Sequence, residues 1–242
     1  MIAIRTVGVA AFLASSALLS GQAAAVPVTV AGATVSFTFD SALAGLFGAP
    51  TVSGDSLFFT PVNFKAFSSN NGFVQAGQTF NVAVTANTGY QIASAGLAES
   101  GDYYNINTSG LEGVAVAGQL RLTDLEAPFT PAVTSAISTP APLTATTTFP
   151  VGFSTTNWTA SAHAAVPLGW GGVDAIPTAV NVTIENLLLA SSLNAASAAF
   201  IEKKFAGLEI VTTPVPEADN YALFLAGLGI IGYLARRRHL RT

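Results

Sequence analysis

Cysteine is absent from all 242 residues. That excludes disulfide staples, thiolate nucleophiles, cysteine-ligated zinc and the lipid-bearing cysteine of a lipoprotein. Charge is also scarce: Asp, Glu, Lys and Arg make up 9% of positions, against about 25% in an ordinary soluble domain. Between Val26 and Thr213 the basic residues are Lys65, Arg121, Lys203 and Lys204, against eleven acidic ones, a net charge of −7 by subtraction. A nucleic-acid surface needs clustered cations to displace counterions from phosphates, so nucleic acid is excluded as a partner. Histidine occurs twice, at His163 and His239. One histidine in the main body builds no histidine-rich metal site, and no cofactor or metal is expected.

What is present is apolar: 50% of positions are hydrophobic, among them sixteen phenylalanines. Several segments alternate with period 2, the pattern of strands with one buried face. Val35, Phe37 and Phe39 lie opposite Ser36, Thr38 and Asp40, and Phe80, Val82 and Val84 lie opposite Asn81, Ala83 and Thr85. Val114, Val116, Leu120 and Leu122 share a face, as do Val180, Val182 and Ile184. Turn residues punctuate the runs at Gly54-Asp55, Asn70-Asn71-Gly72, Asn87-Thr88-Gly89 and Gly101-Asp102. The fold expected is mainly β, an antiparallel β-sandwich of jelly-roll or Ig-like type over 26–213.

Two stretches are ambiguous. Leu189, Leu193, Ala196 and Phe200 keep helical spacing in an Ala-rich segment, yet a hairpin with strands near Ala198–Lys204 and Leu208–Thr213 is equally readable. Thr130–Thr148 is uncharged, with three prolines, and reads as an exposed loop or as a linker between two β units.

Both ends of the chain carry targeting patterns. Arg5, the apolar run Val7–Leu19 and the small residues Ala23-Ala24-Ala25 are the three parts of a secretory signal peptide over 1–25, with Ala23 and Ala25 marking the cleavage site. Tyr221–Ala235 is an uncharged run of 15 residues, including Leu223, Leu225, Gly227, Gly229 and Gly232, followed at once by Arg236, Arg237 and Arg238. As a helix it would span about 22 Å against a hydrocarbon core of about 30 Å. Arginines at its end would sit among headgroups and hold that end in the cytoplasm, giving one short transmembrane helix with 26–213 outside. Gly227–Gly232 spells G-x-G-x-x-G, but a dinucleotide turn needs a following helix and an acidic residue about 20 positions on. Only ten residues follow Gly232, and none is acidic.

Ahead of the apolar run stands Val215-Pro216-Glu217-Ala218. The order of VPEA, apolar stretch and arginine cluster over 214–242, together with the N-terminal signal peptide, resembles the PEP-CTERM sorting signal of exported bacterial proteins. Ala218 stands where that family usually has a second proline. The resemblance implies an exosortase-type processing enzyme as partner, with Pro216 and Glu217 read by it. It also implies a cell-surface or extracellular-matrix setting in bacteria that make exopolysaccharide, as in a biofilm. It favours strands over a helix near 198–213.

Chemistry in the exported region is sparse. The local carboxylate pairs Glu99 with Asp102 and Asp124 with Glu126 are the material from which a glycoside hydrolase or a calcium site would be built. Trp158, Trp170, Tyr103 and Tyr104 could stack on pyranose rings if exposed, which makes a polysaccharide-binding module the main alternative to a non-enzymatic matrix protein, with glycoside hydrolase behind it.

Overall fold

The computed structural model describes residues 26–106, 113–144, 154–193, 195, 197–215 and 218–239. The expected signal peptide over 1–25, with Ala23 and Ala25, and the expected sorting-signal residues Pro216 and Glu217 lie outside them.

The chain is mainly β. Strands β1 (Pro27–Ala31), β2 (Val35–Asp40), β3 (Thr51–Ser53), β4 (Ser56–Phe59), β5 (Lys65–Ser69) and β6 (Phe73–Ala86) precede the longer β7 (Tyr90–Ile106), β8 (Gly113–Asp124), β9 (Val133–Ala136), β10 (Thr156–Ala165), β11 (Ala179–Ser191) and β12 (Ala198–Pro214). One α-helix, α1 (Ala218–His239), follows. The strands form two antiparallel sheets, an arrangement consistent with a β-sandwich. The first has the order β1-β2-β6-β11-β8-β9, the second β10-β7-β12-β4-β3 with β5 also paired to β12.

The alternation read from the sequence sets the inward faces. Phe37, Phe39, Phe80, Val82, Val84, Leu120, Leu122, Val180, Val182 and Ile184 of the first sheet are all buried, and join one core with Leu57, Phe59, Leu97, Trp158, Ile201 and Leu208 of the second. Full burial of one such side chain contributes about 1.5–3 kcal/mol. Phe47, in a short 3-10 turn, plugs one side of this core, with its ring 5.3 Å from Phe59, 5.4 Å from Phe64 and 6.1 Å from Phe80.

The structure corrects four sequence expectations. The helix alternative near 189–200 does not form, because Leu189 is paired within β11 and Phe200 within β12. The hairpin alternative fails too: Ala198–Pro214 is one strand, and Phe205-Ala206-Gly207 stay in the sheet opposite Ser100-Glu99-Ala98. A register shift between Lys203 and Phe205 leaves Lys204 and Phe205 outside, so the inward set changes from Ala199, Ile201 and Lys203 to Ala206, Leu208 and Ile210. Gly101-Asp102 is no turn but lies within β7, opposite that irregularity. An added Cβ at Gly101 would overlap the Glu202 carbonyl and press on Trp158, so this glycine serves close packing. In Thr130–Thr148, Val133–Ala136 pairs with β8, and Ser138 bridges to Ser161. The described part of that segment is thus tied to both sheets.

Tyr221–Ala235 is helical within α1. Among the described residues, no helix is long and apolar enough to cross a membrane, so the transmembrane expectation lacks that support. The uncharged run is limited by Asp219 on one side and Arg236 on the other. The large apolar side chains described on α1, Leu223, Phe224, Leu225, Leu228, Ile230, Ile231 and Tyr233, are all exposed.

Candidate functional site

The four aromatic candidates do not form an open stacking platform. Trp158, Trp170 and Tyr103 are buried, at 2%, 2% and 4% exposure. Trp158 projects inward from β10 and donates from Nε1 to the Glu202 carbonyl at 3.1 Å. Trp170 is seated by a tight loop in which Gly171 and Gly172 both adopt positive φ, a conformation open to glycine at little cost. Tyr104 is half-buried and stacks on Phe200 at 5.1 Å, which occupies one face of its ring. Burial raises its phenol above the ordinary value. His163 points outward from β10, and its backbone N–H donates to Ser135 Oγ at 3.3 Å.

The acidic candidates are engaged as well. Asp124 is fully buried at the end of β8. Its Oδ1 accepts from the backbone N–H groups of Glu126 and Ala127 at 2.8 and 3.1 Å, and its Oδ2 accepts from Gly171 N–H at 2.9 Å. Glu126 accepts from Thr178 N–H, Thr178 Oγ1–H and Ala179 N–H at 2.7, 2.6 and 3.2 Å. Both carboxylates therefore bind donors, whereas a calcium site needs oxygens turned to the ion. Together they tie the β8 end to the Trp170 loop and to the start of β11.

Glu99 and Asp102 belong to different surroundings despite being three residues apart. Asp102 Oδ2 accepts from the exposed Lys204 at 2.7 Å, and that hydrogen bond holds Lys204 above the ordinary lysine range. Glu99 instead projects into the interior from β7, where Lys203 Nζ of β12 lies 2.6 Å from Oε1 with both side chains wholly buried. Asn186 reaches the same oxygen from the other sheet, donating from Nδ2. Around the ammonium stand the rings of Phe64, Phe47 and Trp158, with centroids 5.1, 5.6 and 6.0 Å from Nζ. Burial pushes Lys203 down to about 8, although the Glu99 charge and hydrogen bond pull the other way. Glu99 Oε2 and Asn186 Oδ1 have no hydrogen-bond partner among the described residues, and Nζ has none beyond its ion pair.

Sequence reading passed over this trio's lysine and asparagine. The signal was available: Asn186 continues the inward series Val180, Val182 and Ile184, and Lys203 continues Ala199 and Ile201. Polar residues at inward strand positions are expensive to bury unless they find partners, so their coincidence on facing sheets points to a contact between them.

The outer face of the first sheet carries the remaining feature of note. Where Gly77 and Gly118 contribute no side chains, a groove of about 580 Å3 opens between Thr79, Glu185 and Leu187. Gln119 Nε2 donates to Glu185 Oε2 at 2.7 Å on this face, and Asn181, Thr183 and Asn81 form a further hydrogen-bonded row. Among the described residues no group of three or more His, Asp or Glu side chains is placed to hold a metal ion.

Comparison with known proteins finds no matching family model and no matching curated protein.

Proposed function

We propose that this chain is a non-enzymatic exported bacterial protein of the cell surface or extracellular matrix, sorted through a PEP-CTERM-like tail. The observation carrying this reading is α1, whose described large apolar side chains are exposed on every side while Arg236 follows the run. A helix apolar all round is suited to lipid or to another apolar surface and not to water. With its short apolar run, the helix would sit thinly in a bilayer, arginines at the headgroups, until an exosortase-type enzyme cut near Val215–Ala218. Val215 N–H bonds the Gly89 carbonyl at 2.8 Å, so the pairing of the folded body extends to Val215, and the cut in this reading falls beyond it.

The non-enzymatic part rests on the carboxylates. Asp124 and Glu126 are spent on backbone donors and Asp102 pairs with Lys204, while Glu99 is sealed in the interior, so the pairs that a glycoside hydrolase would use are not free and facing one cleft. The finer fold in this reading is of jelly-roll type, supported by the successive strands β6, β7, β8 and β10, β11, β12 alternating between the two sheets.

Membrane fractionation tests the proposal. The protein is expected in the membrane fraction of cells lacking the processing enzyme and outside it in cells that have the enzyme; equal partition in both would count against sorting by the tail. The groove beside Gly77 and Gly118 favours a second reading, polysaccharide binding through amides and hydroxyls. Retention on the host's own exopolysaccharide, lost in a Thr79→Arg variant, would support it, and no retention of the unaltered protein would remove it.

A further inference from the structure

Three buried groups meet between the sheets with complementary chemistry: an amine, a primary amide and a carboxyl. Lys203 Nζ and Asn186 Nδ2 both contact Glu99 Oε1, which brings the amine to within about 5 Å of the amide, the span of two hydrogen bonds through one shared atom. All three residues are at least 96% buried, Glu99 at 2%, Asn186 at 4% and Lys203 at 0% exposure. We propose that Lys203 and Asn186 become joined by an intramolecular amide bond, with Glu99 as the proton carrier for its formation.

The reaction is balanced within the site. A proton passes from Lys203 Nζ to Glu99 along their 2.6 Å contact, leaving a neutral amine and a neutral acid. Burial favours this because it disfavours the charged forms, and Lys203 already titrates near 8. The freed lone pair attacks Asn186 Cγ as the carboxylic acid, now a donor, hydrogen-bonds the amide oxygen. Asn186 Oδ1, which lacks a partner among the described residues, is the acceptor awaiting it. The C–Nδ2 bond then breaks, Nδ2 takes the two protons that Glu99 relays from Nζ and leaves as ammonium, the proton-bound form of ammonia, and Glu99 ends as the carboxylate it began as. One N–C bond forms, one breaks, and no oxidant, metal or other reactant is needed.

The surroundings fit such a step better than they fit a purely structural ion pair. Phe47, Phe64 and Trp158 wall the amine with rings and keep water from solvating it. A lone buried ion pair is retained at a desolvation cost that apolar residues would avoid. The product would staple β11 of one sheet to β12 of the other, a covalent cross-link in a chain that has no cysteine to make one.

Peptide mass spectrometry decides the proposal. Cleavage after glutamate in the denatured protein separates Asn186–Glu202 from Lys203–Glu209 in sequence. The linked protein yields the two as one branched species about 17 Da below their summed mass, the loss of one ammonia. Lys203→Met and Asn186→Ala each abolish the branched species, and Glu99→Gln, which keeps the shape without the acid, slows its appearance at least tenfold. Recovery of the two peptides separately at full mass from folded, unaltered protein overturns the proposal. Full linkage at the unaltered rate in Glu99→Gln overturns the role given to Glu99.

Discussion

Asp124→Ala removes a single carboxylate that holds three backbone N–H groups, and the cost can be worked from its surroundings. A hydrogen bond to a charged acceptor contributes about 1.5–3 kcal/mol. Two of the donors, at Glu126 and Ala127, stand in a turn that water reaches, so their loss is partly made good. The third, Gly171 N–H, is buried beneath the Trp170 loop and stays unsatisfied. The sum is a loss of about 3–5 kcal/mol, at the severe end for one substitution. Asp124→Asn should cost less, about 1–3 kcal/mol, because its amide oxygen still serves the turn while its NH2 meets Gly171 N–H donor to donor. Urea unfolding of the protein reads both, as a lower midpoint at unchanged slope. A loss under about 1 kcal/mol for Asp124→Ala would refute the view of this carboxylate as a structural staple.

Trp170→Ala should destabilise by about 3–5 kcal/mol in the same assay, as a buried aromatic does, and any sugar retention it loses should return at a temperature where the variant is folded. Gly101→Ala forces a methyl against the Glu202 carbonyl and should cost about 1–3 kcal/mol; thermal unfolding indistinguishable from the unaltered protein would mean that the β7–β12 approach is looser than described. Burial pushes Asp55 up, but the Thr34 hydroxyl and the N–H groups of Thr34, Val35 and Ala33 outweigh it and hold the carboxyl below its ordinary value of 3.8. Its contribution to stability is therefore present above that value and lost as pH falls through the lower folded one. Asp55→Asn should accordingly be less stable than the parent near neutrality, with the gap narrowing in acid; a gap independent of pH would contradict this.

The fold was legible wherever a strand had one apolar face. Val35-Phe37-Phe39 and Val180-Val182-Ile184 announce their buried sides through period 2 alone, because a half-buried strand has no other way to arrange them. Turns at Gly54-Asp55 and Asn70-Asn71 were legible for the same local reason, and Gly54, Asn70 and Asn71 do take positive φ. What escaped were features set by partners far along the chain. Gly101 resembles a turn residue until Trp158 and Glu202 are brought over it, and Phe205-Ala206-Gly207 resembles a hairpin until β7 and β4 are laid beside it. The candidate residues divide similarly. The sequence offered each tryptophan either to a ligand or to the core, their size favoured the core, and both are buried. The trio of Glu99, Asn186 and Lys203 needed three strands from two sheets to meet, which no local pattern expresses. Carrying the alternation through Asn186 and Lys203, polar as they are, would have placed both inside.

The central claim is that the tail after the folded body is a sorting signal cut by a processing enzyme. Intact-mass measurement of the protein recovered from cells with and without an exosortase tests it most directly. A C-terminus near Val215–Ala218 only where the enzyme is present is the predicted result, whereas an identical C-terminus in both, with Arg236–Arg238 retained, would contradict it.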